Sequence, residues 1–211
     1  MTEHIQTAFS FPAVGRKEVR AAFDEGRLTS DAGVMLLAQA KRRLGPAERL
    51  AECIADPRDP TRTAHAVSDI LRARVLAIGC GYDDGNDLDT LRLDPGFKLA
   101  CGRLPDSGTD LCSQPTVSRW ENAPTLREMI RLMGAMVDIY CESCANPPEA
   151  VTLDIDDTVD VVHGHQQLSL FNAHYDERCF LTIHVYDTAA GRPVAMILRP
   201  GKTPSGKEVR G

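Results

Sequence analysis

The sequence has no apolar run approaching the roughly 20 residues that cross a bilayer, which excludes a membrane-spanning helix. Its opening residues, MTEHIQTAFSFP, carry an early acid and no apolar segment. A secretory signal is thereby excluded and a cytoplasmic location is expected. Internal repeats and low-complexity tracts are absent, so a solenoid or array is excluded. Glycine (16) and proline (13) are too few for a fibrous or disordered chain. Cysteine occurs seven times, an odd number at irregular spacing, which does not make a disulfide framework; reduced, partly buried thiols are expected. Base is also in deficit. Twenty-four Lys and Arg face 30 Asp and Glu, a net charge of -6, whereas a dedicated nucleic-acid binder is usually basic.

What remains is ordinary globular material: 211 residues, 43% hydrophobic and 26% charged, enough for one or two domains with real cores. Charge is clustered. Acids gather at Asp83, Asp84, Asp87, Asp89 and Asp94; bases gather at Arg16, Lys17 and Arg20, at Lys41-Arg42-Arg43, and at Arg199, Lys202, Lys207 and Arg210. A duplex could meet those basic patches, although composition does not require it.

The first two-thirds read as helical. Thr29-Ser30-Asp31 signals a helix start, and the apolar spacing that follows ends in cations before Gly45-Pro46. A second helix is expected over 47–54. A third is expected over 63–78, with Val67, Ile70, Leu71, Val75 and Ile78 as its apolar stripe. Weaker helical signal runs over 86–101, broken at Asp94-Pro95-Gly96, and 104–113 is a loop. A short helix opens at Gln114. A longer one starts near Thr125 with apolar residues broad enough for a buried helix, and Asn146-Pro147-Pro148 marks a boundary. Beyond it the period changes to strands: 150–162, 179–186 and 193–198, the last two joined by a turn at Gly191. The fold class is therefore α/β, α+β overall, with a helical region over 1–148 and the opening strands of a second domain over 149–211. The apolar face of those strands is expected to need covering helices.

The chemistry-bearing stretch is Val151-Thr152-Leu153-Asp154-Ile155-Asp156-Asp157-Thr158, read as acids at the end of an apolar strand. Alternation puts Asp154 and Asp156 on one face and Asp157 on the other. Two like charges on one face repel unless a cation compensates, and hard oxygen ligands favour Mg2+ or Mn2+. The plainer reading is a solvated acidic strand.

Asp-x-Asp-x-Thr after an apolar strand is similar to the nucleophile motif of haloacid-dehalogenase-type phosphatases, with Asp154 as nucleophile and Asp156 as acid/base. That family also needs a Ser/Thr strand, a Lys and a second acidic pair, whereas residues 159–211 read mostly as a hairpin. A longer series of motifs resembles the DDE transposases of bacterial insertion sequences: Leu28-Thr29-Ser30-Asp31-Ala32-Gly33; Gln114-Pro115-Thr116-Val117-Ser118-Arg119-Trp120-Glu121-Asn122; the Asp-x-Asp-x-Thr strand; His163-Gly164-His165-Gln166; Tyr175; Gly191-Arg192-Pro193; and Leu198-Arg199-Pro200-Gly201. Their order spans essentially the whole chain.

The resemblance implies an RNase H-like catalytic domain in which two Asp and one Glu hold two divalent ions. The first Asp carries over best to Asp156, then Asp154, then Asp157. It further implies that the chain is the front part of such a protein and stops before the second Asp and the Glu, after a helix beginning near Lys207. Implied partners are DNA carrying the element's terminal repeats, and a second copy or a full-length transposase.

Lesser candidates each carry a plainer alternative. Thr116, Ser118 and Arg119 at a helix start, and Lys202, could hold DNA phosphates, while Trp120 could simply anchor a helix in the core. His163 and His165 could contact phosphate or orient a metal-bound water, or form a polar loop. Cys141-x-x-Cys144 is half a zinc site with no second pair. Lys41-Arg42-Arg43 could be a groove contact or a solvated helix end.

Overall fold

A computed structural model describes residues 9–22, 26–164, 166 and 168–202. It has seven α-helices and two antiparallel sheets among those residues, a mixed α+β fold as expected. The chain divides into two compact units, Met1–Glu121 and Asn122–Gly211. The division lies N-terminal to the last helix, whereas the sequence boundary was placed at Pro147-Pro148, after it.

Unit 1 opens with a hairpin absent from the sequence reading: β1 (Phe9–Val14) paired with β2 (Lys17–Ala21). The turn forms because Gly15 takes φ +60°, a left-handed conformation that glycine adopts without a Cβ clash. Val19 is buried from β2 into the helical core.

Six helices follow: α1 (Val34–Leu44), α2 (Pro46–Glu52), α3 (Val67–Gly79), α4 (Leu88–Leu91), α5 (Pro95–Ala100) and α6 (Gln114–Glu121). Their shared core contains Val34, Ile70, Leu76, Leu88, Phe97 and Val117, all essentially without exposure. On α3 the buried stripe is Val67, Ile70, Ala73, Leu76 and Ala77. The expected Val75 and Ile78 face outward instead. The largest side chains suggested one face, but the alanines mark the side where neighbouring elements come closest.

The loop after α5 is pinned from inside. Lys98 is buried, and its ammonium donates to the Pro105 carbonyl at 3.0 Å and the Gly108 carbonyl at 2.8 Å, with Asp110 at 3.4 Å. Backbone oxygens and one carboxylate thus replace the water that the charge has lost.

Unit 2 begins with α7 (Leu126–Ser143). Thr125 and Glu128 form a reciprocal capping box, the Thr-x-x-Glu signature that places its start. The sheet follows: β3 (Leu153–Val161), β4 (Leu170–Asn172), β5 (Glu177–Asp187) and β6 (Arg192–Ile197). Strand β5 is the hub. β3 pairs along it from Leu153↔Asp187 to Val161↔Cys179, β4 pairs with its start, and β6 with its C-terminal half.

Four strands stand where three were expected; β4 is too short to show a period. α7 packs against β6, held by Tyr140 Oη donating to Asp187 at 2.9 Å and by Arg192 donating to the Ser143 carbonyl at 3.0 Å. The expectation that α7 is buried is corrected. Only Glu128 and Tyr140 are buried on it, because its apolar residues wrap more of the helix than one sheet face can cover. Among the described residues no helix is long and apolar enough to cross a membrane.

Candidate functional site

The acids lie within β3 rather than at its end, and all nine residues of that strand are exposed. Register fixes their faces. Asp154, Asp156, Thr158 and Asp160 stand opposite Tyr186, His184, Thr182 and Phe180, whereas Asp157 stands opposite Ile183. Because successive side chains point to opposite faces, Asp154 and Asp156 share one face and Asp157 has the other, as alternation required.

The two faces are chemically different. Asp157 accepts a 2.9 Å ion pair from Arg199, whose Nε also donates to the Leu181 carbonyl at 3.1 Å. Only 13% of the Arg199 side chain is exposed, so this guanidinium is committed to holding β3 beside β5. Asp154 and Asp156, by contrast, pair with no cation among the described residues. One oxygen of Asp156 accepts the Asp157 amide at 2.9 Å. The rest of that face is a row of polar cross-strand pairs. Thr158 Oγ1 and His184 Nε2 share a hydrogen bond at 3.0 Å, and Thr182 Oγ1 donates to Asp160 at 2.6 Å.

His184 is the residue that sequence reading missed. It sits within the apolar run Phe180–Tyr186, yet Thr182, His184 and Tyr186 alternate as a polar set, and that period was the available signal.

Whether the acids suit a divalent ion can be judged from the donor set. Two exposed carboxylates two residues apart on one face, their Cα atoms roughly 6.6 Å apart in a strand, offer hard oxygens from one side. Among the described residues no three His, Cys, Asp or Glu side chains come together as an ion's ligands. The acid face therefore fits one side of a Mg2+ or Mn2+ shell and does not close it.

The other motifs are engaged within the chain. Thr29 donates to Asp94 at 2.9 Å, and Asp94 caps α5 by accepting the Phe97 amide at 2.9 Å. Asp31 accepts Tyr82 Oη at 2.9 Å. At the start of α6, the Gln114 amide donates to Asp89 at 3.0 Å, so a protein carboxylate already stands where an anion would bind. Arg119 is exposed but folds back onto the Pro115 carbonyl at 2.9 Å and Thr116 Oγ1 at 3.4 Å. Ser118 is half-buried on the same helix. Trp120 packs on the core beneath Arg58, whose guanidinium lies 4.8 Å from the ring centre.

The Leu198–Gly201 motif has a structural reason. It continues beside β5: the Leu181 amide donates to the Arg199 carbonyl at 2.8 Å and the Gly201 amide to the Cys179 carbonyl at 2.9 Å. A Cβ at Gly201 would run into Cys179, which leaves glycine as the residue that fits.

Lys202 is exposed at the end of the described residues, and His163 is exposed in a bend after β3. His165, the Lys207 helix start and the side chains of Lys41, Arg42 and Arg43 lie outside the described residues. Cys141 and Cys144 are free thiols, with Cys144 donating to the Tyr140 carbonyl at 3.6 Å.

A family model described as transposase DDE domain, group 1, matches residues 11–211. No curated protein and no solved structure matches the chain.

Proposed function

Because the chain belongs to the transposase DDE domain group 1 family, we propose that it acts in the transposition of a bacterial insertion sequence, with β3 as the first acidic strand of an RNase H-like catalytic domain. The observation that carries this reading is the asymmetry of β3: Asp157 is neutralised by Arg199, while Asp154 and Asp156 stand uncompensated on the other face. That asymmetry favours Asp156 as the first catalytic carboxylate, with Asp154 beside it as the alternative, and gives Asp157 a structural part.

Asp156 and Asp154 would hold Mg2+ or Mn2+ from one side; such an ion, when bound, activates a water or a 3'-hydroxyl and stabilises the leaving oxygen. A complete site needs two further carboxylates gathered with Asp156, and among the described residues no three such side chains come together. The chain is read as carrying a helical DNA-end-binding or dimerisation region over residues 1–148. It would bind terminal-repeat DNA in the cytoplasm, as a homodimer or paired with a full-length transposase, without cutting by itself. Thr116, Ser118, Arg119 and Lys202 are the proposed phosphate contacts.

The test is a mobility shift of the full chain with terminal-repeat DNA, run alongside a Mg2+ cleavage assay. A shift that weakens steeply with salt is expected, as phosphate contacts require, with no cleavage. Absence of any shift at low salt overturns the binding reading. Robust cleavage that Asp156→Ala abolishes overturns the incompleteness of the site.

A further inference from the structure

On a helix of 3.6 residues per turn, Leu126, Ile130, Gly134, Val137 and Cys141 of α7 fall on one stripe about 80° wide. All five are exposed, Leu126 and Ile130 at 59% and 56%. The flank that carries Met129, Met133, Met136 and Tyr140, and the opposite side with Leu132, Ala135 and Ile139, are half-buried or buried. Midway along the length of the exposed stripe stands Gly134, where a Cβ would meet nothing within 4 Å. A glycine in a helix interior weakens the helix relative to alanine, and nothing among the described residues requires one there. It suits the close approach of another backbone.

Charge identifies the occupant. Beside the apolar stripe run Arg127 and Arg131 in the N-terminal half of α7, and Asp138 and Glu142 in the C-terminal half, all exposed. Arg131 has only a 3.8 Å contact to Glu128 within the helix. This order is self-complementary. A two-fold axis near Gly134 brings Ile130 beside the second copy's Val137 and Leu126 beside its Cys141. It also sets each arginine against an acid. A parallel two-fold arrangement would put the two charged flanks on opposite sides of the seam and pair none of these charges.

We propose that this face of α7 is the docking surface for a second copy of the chain, packed antiparallel with Gly134 at the crossing. Such a contact is isologous. One helix pair is smaller than a standard interface, so the dimer is weak and concentration-dependent. The proposal supplies a surface for the self-association in the functional reading, yet rests on α7 and not on catalysis or DNA binding.

Sedimentation of the full chain across the micromolar range tests it. A monomer–dimer equilibrium is expected, weakened about tenfold or more by Ile130→Glu. Gly134→Ala should raise the Tm, since alanine strengthens the helix, while weakening the dimer, a split that a purely structural glycine does not produce. Arg131→Glu should weaken the dimer and Arg131→Glu with Asp138→Arg should restore it. A chain monomeric at every concentration overturns the proposal. So does a dimer unchanged by Ile130→Glu and Gly134→Ala, or a charge reversal that the second substitution fails to rescue. The mobility shift is read separately: loss of DNA binding with dimerisation intact removes the functional reading and leaves this one.

Discussion

The two units use their side chains in opposite ways. In unit 1 the polar motif residues are engaged within the chain: Thr29 meets Asp94, Asp31 meets Tyr82, and the Gln114 amide meets Asp89. Its apolar residues close a single core around Phe97, Ile70, Leu76 and Leu88. In unit 2 a nine-residue strand is exposed throughout, with Leu153, Ile155, Val159 and Val161 on one face and two uncompensated carboxylates on the other. An ordered motif is therefore no guide by itself to a contact surface. The motifs of unit 1 are mostly engaged in scaffold contacts, and the carboxylates open to an outside cation lie on unit 2.

The largest test of this contrast is core truncation. Phe97→Ala removes a ring with no exposure and should destabilise unit 1 by about 3–5 kcal/mol, the range for aromatic truncation in a packed core. Ile155→Ala removes a side chain that is already exposed and should change unit 2 by no more than about 0.5 kcal/mol. Urea unfolding followed by hydrogen exchange in each unit reads both. A large loss from Ile155→Ala would mean that its face is covered and that the contrast is wrong.

Where the sequence was legible follows from the same contrast. Helices with strong stops were readable, since Gly45-Pro46 and the Thr125–Glu128 box act locally. The acidic strand and its alternating faces were readable because a period of two needs no tertiary knowledge. The β1–β2 hairpin was missed because its evidence is one left-handed glycine between short strands. The buried side of α3 was misjudged because alanine packing depends on what comes close. The local period marks His184 as one of a polar set, but its position opposite Asp156 is a matter of register between β3 and β5 and is not legible locally.

A smaller effect separates the two faces of β3. Arg199→Ala removes the hydrogen bond to the Leu181 carbonyl and the pair with Asp157, and should cost about 1–3 kcal/mol. Asp157→Asn should cost less, at most about 1 kcal/mol, because the Asp157 carboxylate is more than half exposed. Asp154→Asn should leave unit 2 unchanged or more stable by about 0.3 kcal/mol, since it relieves repulsion from Asp156 across one face. Chemical unfolding of the three variants orders them. A loss on Asp154→Asn equal to that of Arg199→Ala would give Asp154 a structural partner and remove the asymmetry on which the choice of Asp156 rests.

The smallest expected effect distinguishes the units by pH. In unit 2, the hydrogen bond from Tyr140 holds Asp187 below the usual carboxylate range, and the same bond pushes Tyr140 up to about 12. A depressed acid stabilises the fold fully above its unfolded value of about 3.9 and ceases to do so as pH falls through the lower folded value. A raised phenol stabilises it fully below about 10 and is lost as pH rises through its folded value. This pair therefore leaves unit 2 insensitive between those limits. In unit 1, burial and then Arg103 lower His65, whose ring lies 3.2 Å from the Arg103 guanidinium. Its unfolded form takes up a proton first, so that stability begins to fall as pH drops below about 6.5. Acid titration followed by residue-resolved exchange should thus loosen unit 1 before unit 2. Tyr140→Phe should weaken the pH dependence of unit 2 alone, below about 3.9 and above about 10. If Tyr140→Phe shifts the near-neutral limb belonging to His65, the units are not titrating independently.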